Sequence, residues 1–230
     1  MRIGGIQKVS LIDYPGQISA VVFTQGCNFR CPYCHNPELV MPGLYGDILK
    51  ETDVLSFLER RRGKLDAVTL TGGEPTLQQD LPDFVRTIRE MDYLVKLDTN
   101  GSFPEVLKSL IAGGDLAYVA MDVKAPLNRY ADVTRAKVDP VKIRESIDVI
   151  MTSGIDYEFR TTAVPSLITR KDLVTIVREI GQARRYIVQR FISLKTLDGD
   201  TAGQETFTLN EMREIQEELE NYIPHVMIRG

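Results

Sequence analysis

Six short runs of apolar, largely β-branched residues recur along the chain, each ended by glycine, proline or a polar turn: ISAVVFTQG (18–26), DAVTLTGGEP (66–75), YLVKLDTNG (93–101), AYVAMDVKAP (117–126), YEFRTTAVP (157–165) and YIVQRFISL (186–194). Runs of this length and composition predict strands. The stretches between them carry apolar residues at helical spacing: TDVLSFLERR, DLPDFVRTIREM, FPEVLKSLIAGG, DPVKIRESIDVIMTSG and TRKDLVTIVREIGQ. Several open on Thr or Asp and close near Gly, as helix termini prefer. Strand and helix therefore alternate, with a period of roughly 30 residues, the size of a βαβ unit.

Strands joined by crossover helices run parallel, and right-handed crossovers leave two arrangements, an open doubly wound sheet or a barrel-like arc. The unusual residues favour the arc. Cysteines follow the first strand, TGGEP the second, and DTNG ends the third. MDVK lies late in the fourth, Arg160 in the fifth and QRF in the sixth. Barrels collect their chemistry at the carboxyl ends of successive strands. The expected fold is α/β, a partial (β/α)6 TIM-like barrel with parallel strands, a short N-terminal extension and a C-terminal helix. No linker-like segment interrupts residues 1–230, so one domain is expected, with its core at about 18–194 and a capping segment at 195–230. The tail TLNEMREIQEELENYIPHVMIRG reads as a helix followed by a short strand or extended segment.

Composition narrows the function by exclusion. Of 230 residues, 43% are hydrophobic and 26% charged, and the net charge is −4, which offers no footprint for a nucleic-acid backbone. The one basic run, ERRRGK, reads as a solvated helix end. No window approaches the ~18 apolar residues of a membrane span, and the start lacks a secretory apolar region, so a cytoplasmic protein that touches neither membrane nor nucleic acid is expected. Three cysteines, an odd number, fit no disulfide framework.

All three lie within TQGCNFRCPYCHNP as C-x3-C-x2-C: Cys27, Cys31 and Cys34. A zinc-binding interaction module is one reading, but structural zinc takes four ligands, and the available histidines are His35, adjacent to Cys34, and the remote His225. A redox dithiol is another, since Cys31 and Cys34 have thioredoxin-like spacing, but it leaves Cys27 without a role. A 4Fe-4S cluster held by three cysteines accounts better for the missing fourth sulfur, because one iron stays open to a small molecule.

This cysteine loop after a first strand, followed by GGEP, resembles the radical S-adenosylmethionine enzymes. The resemblance implies that S-adenosylmethionine chelates the open iron and is cleaved reductively to a 5′-deoxyadenosyl radical. It also implies that Tyr33 sits against the adenine and that Gly72, Gly73 and Glu74 line the methionine end. The opening GIQKVSLIDYPGQISAVVFTQGCNFRCPYCHNPELV, with DTNG, MDVKAP and FRTT, is similar over most of the chain to the longer anaerobic ribonucleoside-triphosphate reductase activating proteins. These belong to a glycyl-radical enzyme activating family. In related activases a D-x-K on the fourth strand meets the cofactor, which assigns Asp122 and Lys124. Their DTNG borders the cofactor and a monovalent cation, which assigns Asp98 and Thr99 and suggests a cation site.

Each assignment has a plainer rival. GGEP suits a tight strand-to-helix turn, Asp122 and Lys124 could pair with each other at the barrel rim, and Asp98, Thr99 and Asn100 could form an Asx-type turn. Arg160, Gln189 and Arg190 could pair with acidic neighbours as readily as meet a cofactor. His35 and Asn36 complete a CHNP run shared with the activases. The implied partners are a glycyl-radical enzyme, anaerobic ribonucleoside-triphosphate reductase, and a low-potential electron donor such as flavodoxin or ferredoxin. The polar segment 125–140 is expected at the mouth that receives the partner. A small-molecule enzyme resembling 7-carboxy-7-deazaguanine synthase is the alternative. Three cysteines leave none for auxiliary clusters, which removes the branches that depend on them.

Overall fold

The computed structural model describes residues 1–230. Eight strands form one sheet in the order in which they leave the chain. β1 (Ile3–Ser10) is antiparallel to β2 (Ser19–Thr24). Every later neighbour is parallel: β3 (Ala67–Gly72), β4 (Leu94–Thr99), β5 (Tyr118–Asp122), β6 (Asp156–Ala163), β7 (Tyr186–Arg190) and β8 (Val226–Arg229). The connections carry α1 (Pro37–Val40), α2 (Glu51–Glu59), α3 (Leu81–Glu90), α4 (Pro104–Ala112), α5 (Tyr130–Thr134), α6 (Pro140–Thr152), α7 (Arg170–Glu179) and α8 (Leu209–Leu219). β1 and β8 are the two edges and do not pair, so the sheet stays open between them.

The six expected strands are β2 to β7, and the five expected helices are α2, α3, α4, α6 and α7. Two strands lie outside that set. β8 settles the ambiguity of the tail by joining β7 in parallel and extending the series. β1 is hidden by its sequence, IGGIQKVS, because a glycine pair and a polar end weaken the strand signal. A Cβ at Gly4 would lie 2.6 Å from Leu39 Cδ2, so that the leucine side chain would have to turn aside. α2 opens at Lys50 rather than at Thr52, while Thr169 and Thr208 each form a reciprocal capping box with the carboxylate three residues on. ERRRGK follows α2 as a solvated end, where Arg62 pairs with Glu59 and Asp92.

Side chains alternate across each strand, and the two faces differ in chemistry. Val68, Leu70, Val95, Leu97, Val119, Met121, Phe159 and Val188 face the helices and merge with Phe84, Ile88, Leu107, Ile147, Ile176 and Ile215 in one core. The other face of the same strands carries Ser19, Thr69, Lys96, Glu158 and Arg160, all buried. At the amino ends of the strands Tyr14 closes this interior, its ring centroid 5.7 Å from that of Tyr118, over Ala67 and Ala120. The polar interior therefore opens at the carboxyl ends.

Candidate active site

The cysteine loop leaves β2 at Thr24 and is held at several points. Gly26 donates its N–H to Leu39 O (2.7 Å), Arg30 donates its backbone N–H to Thr134 O (2.8 Å), and Asp198 N–H donates to Pro32 O (2.9 Å). Asn100 Nδ2 donates to Asn28 Oδ1, and Asn28 Nδ2 to Ser102 Oγ, both at 2.9 Å. His35 Nε2 lies 2.8 Å from Ile192 O, and its ring stacks on Phe191 at 5.7 Å with 3° between planes. The Arg30 guanidinium closes the turn on Cys27 O at 2.6 Å. The three thiols are free, with Cys31 buried and the others half-buried.

Twelve residues singled out from the sequence for cluster or cofactor line one cavity of about 460 Å³: Cys27, Cys31, Cys34, Tyr33, Gly72, Gly73, Glu74, Asp98, Thr99, Asp122, Lys124 and Arg160. His35, Asn36 and Gln189 are there too. Arg190 is not; its guanidinium donates to Phe207 O (2.7 Å) and Thr206 Oγ1 (3.0 Å) and fastens the segment after β7. Sequence reasoning missed Asp13, Phe29 and Thr162, and passed over Asn100. Thr162 shares the face of Arg160 two residues on, a signal that alternation offered; Asp13, in a loop without periodicity, carried none.

The segment 125–140 follows β5 and meets the cysteine loop, where Thr134 O accepts the Arg30 backbone N–H. It forms a 3-10 turn and α5, buries Tyr130, and sets its ring edge-on to Phe29 at 6.3 Å and 69°. The Tyr130 hydroxyl accepts the Lys124 N–H at 3.0 Å. The segment thus props the cysteine loop and the strand-end lysine together.

The GGEP glycines are required first by the chain itself. Gly72 has φ +117°, and a Cβ there would lie 2.3 Å from Thr24 N; at Gly73 it would lie 2.0 Å from Gly26 O. The backbone of Thr24 and of the cysteine loop makes that close approach, and Gly73 N–H to Thr24 O (2.9 Å) and Glu74 N–H to Gly26 O (2.8 Å) lock it. Glu74 is buried and accepts from Thr99 Oγ1 and Asn100 N–H, each at 2.7 Å, from Thr76 N–H at 3.1 Å and from the Thr76 hydroxyl. Its carboxylate ties the end of β3 to the end of β4. Burial raises its pKa despite these donors.

Across β4, β5 and β6 the interior face carries charges of alternating sign. Lys96 Nζ donates to Asp98 Oδ1; Arg160 Nη1 donates to Asp98 Oδ2 at 3.2 Å and its Nε to Asp122 Oδ1 at 2.8 Å; Lys124 Nζ donates to Asp122 Oδ2 at 2.9 Å. The two plainer readings, a D-x-K pair and an arginine bound to acidic neighbours, are thus realised, and inside the cavity. Burial alone would raise both aspartates, but Arg160 foremost, with Lys124 at Asp122 and Lys96 at Asp98, holds both below the usual carboxylate range. Beneath, Glu158 receives Arg229 at 3.1 and 3.3 Å.

The thiols respond to burial in the opposite sense. Burial, with Glu74 nearby, pushes Cys27 up to about 12; burial pushes Cys31 up to about 11 and raises Cys34. Free, they are neutral thiols; bound to a metal they would lose their protons. No three His, Cys, Asp or Glu side chains are spaced to hold a single metal ion. Three soft donors around one cavity suit an iron–sulfur group. The Tyr33 ring lines the same space, with its hydroxyl buried.

Residues 21–180 match the family model described as the Radical SAM superfamily. The chain belongs to that superfamily. Over 99% of its length it is 34% identical to a protein of Methanocaldococcus jannaschii named as a glycyl-radical enzyme activating enzyme, covering 95% of that protein. It is 33% identical to the pyruvate formate-lyase-activating enzyme of Clostridium pasteurianum, covering 80% of this chain and 79% of that one. This radical SAM enzyme is therefore of the glycyl-radical enzyme activating class, whose family implies a 4Fe-4S cluster and S-adenosylmethionine. Its fold is that of Streptococcus suis SuiB bound to S-adenosylmethionine, with TM-score 0.68 at 13% identity over 91% of this chain. It spans about half of SuiB, 52% of that chain. The likeness bears out the partial TIM-like barrel. No helix is long and apolar enough to cross a membrane.

Proposed function

We propose that Cys27, Cys31 and Cys34 hold the 4Fe-4S cluster, that S-adenosylmethionine occupies the cavity beside it, and that the enzyme abstracts hydrogen from a glycine of a partner glycyl-radical enzyme, anaerobic ribonucleoside-triphosphate reductase. One observation carries the reading: all the thiols of the chain open onto the same cavity as Lys124, Asp122, Tyr33 and the GGE backbone. When bound, the cluster and S-adenosylmethionine supply one-electron cleavage of a sulfonium bond.

The residues divide the remaining work. Lys124 directs one ammonium N–H at Asp122 and keeps others for a ligand carboxylate. Tyr33 and Phe29 give the cavity apolar walls. Thr99 and Asn100, fixed through Glu74, present the end of β4. Residues 1–230 act as one unit in the reducing cytoplasm, receiving electrons from a donor such as flavodoxin or ferredoxin; free thiols suit that compartment.

The test is anaerobic reconstitution with iron and sulfide, then reductant, S-adenosylmethionine and candidate partners. Four irons per chain, 5′-deoxyadenosine formation and a glycyl-radical resonance in the reductase are expected. Stoichiometric zinc in colourless protein would return the interaction module, and turnover with a small heterocycle but no protein partner would favour the small-molecule enzyme.

A further inference from the structure

Lys96 is a charged side chain of the interior that this function leaves without a task, and it is buried to 2% exposure. It lies in the middle of β4, opposite Thr69 of β3 and Tyr118 of β5. Its ammonium donates to Asp98 and sits 5.8 Å from the centre of the Tyr118 ring, whose face adds further attraction for a cation. A buried lysine is costly unless its charge is matched, as it is here by Asp98.

The count of charges shows what that one adds. Lys96, Arg160 and Lys124 are three cations along a line with only two carboxylates, Asp98 and Asp122. Glu158 below has its own partner in Arg229 and lies 4.0 Å from Arg160. The line therefore carries one surplus positive charge, and its only end inside the cavity is Lys124. With Lys96 neutral, Arg160 and Lys124 would just balance the two aspartates, and Lys124 would be committed to Asp122. With Lys96 charged, Asp98 is satisfied from behind and Arg160 can be shared. The sequence expectation of a monovalent cation beside Asp98 meets an occupied place: Lys96 engages one oxygen and Arg160 the other.

We propose that Lys96 is a tethered monovalent cation: its ammonium fills the position beside Asp98 that K⁺ or Na⁺ would otherwise take, so that the pocket needs no ion from solution and Lys124 keeps its charge for an anionic group. Lys96 touches no ligand and acts through Asp98, Arg160 and Asp122 as a positioning residue. The part concerning Lys124 rests on the cofactor reading above; the part concerning the cation does not.

The test compares the full chain in potassium, sodium and choline chloride at equal ionic strength, by melting temperature without cofactor and by S-adenosylmethionine affinity after anaerobic reconstitution. Wild-type protein should give the same values in all three salts. Lys96→Met should melt lower and bind about tenfold or more weakly in choline, with K⁺ or Na⁺ restoring most of both. Lys96→Arg, which keeps the charge, should stay near wild type. The proposal is overturned if wild-type protein gains stability or affinity from K⁺ or Na⁺ over choline. It is equally overturned if Lys96→Met matches wild type in choline, or if its loss is restored by neither ion, which would make Lys96 a packing element. Should Lys96→Met not fold, the wild-type comparison still decides. Should wild-type protein bind no S-adenosylmethionine, the cofactor reading fails while the melting comparison still judges the cation.

Discussion

Cys31 combines the deepest burial of the three thiols with a cavity wall that would be useful only if the sulfur ionised. The thiolate is the nucleophile and the metal ligand, and burial pushes Cys31 up to about 11, against an ordinary value of about 8.5. Metal-free protein at pH 8 should react with iodoacetamide at least tenfold more slowly than a free cysteine, and the rate should keep climbing as pH rises toward 11. A rate that levels off near pH 9 would mean the thiols are not held as described. Gly73 makes a sharper residue-scale case. Its missing Cβ would collide at 2.0 Å with the carbonyl oxygen of Gly26, one residue before the first cysteine, and backbone cannot rotate aside as a side chain can. Gly73→Ala should therefore displace the cysteine loop, and iron bound per chain after reconstitution should fall to a small fraction of wild type. Full iron loading in this variant would mean that the close approach at GGEP does not position the cysteines.

At the scale of elements, the end of β3 is joined to the end of β4 by one carboxylate rather than by a longer ladder. The register between them closes at Leu70 and Leu97, and Glu74 reaches across with two of its four accepted hydrogen bonds, from Thr99 and Asn100, the other two coming from Thr76 beside it. Glutamine at this site offers a single acceptor oxygen, and its amide N–H groups would face donors. Glu74→Gln should cost about 1–3 kcal/mol in urea unfolding, because buried donors are left unmet. The elements themselves were legible because β2 to β7 are buried on both faces, read as apolar runs, and are punctuated by Gly and Pro. Legibility ended where meaning depends on register. Alternation identifies Lys96, Asp98, Glu158 and Arg160 as sharing a face, yet which carboxylate Arg160 takes depends on how far β4, β5 and β6 are shifted against each other. The glycines of GGEP were legible as a close approach, but the approaching group, the backbone of Thr24 to Gly26, lies some fifty positions back in the chain and leaves no local trace.

The whole molecule couples its site to its stability, because the charge line that faces the cavity is also what fills the barrel interior. Asp98 and Asp122 have folded-state pKa values below their unfolded values, about 3.9, so they stabilise the fold above that range and cease to do so as pH falls through it. Unfolding free energy should thus be nearly level from pH 8 to pH 5 on account of these groups and decline steeply below pH 4. Arg160 is the first cause of both depressions, so Arg160→Met should cost roughly 3–5 kcal/mol at pH 7, as removal of one member of a buried ionic set does. The sign of the pH dependence separates charge from packing. If Arg160 acts by holding two carboxylates ionised, the gap between wild type and variant must shrink as acid protonates those carboxylates, whose own pKa values rise once the arginine is gone. If Arg160 acts by filling space, the gap stays constant with pH. Urea titrations of both proteins at pH 7, 5 and 4 distinguish the two, and a constant gap would remove the electrostatic basis on which Lys96, Arg160 and Lys124 form one line of charge.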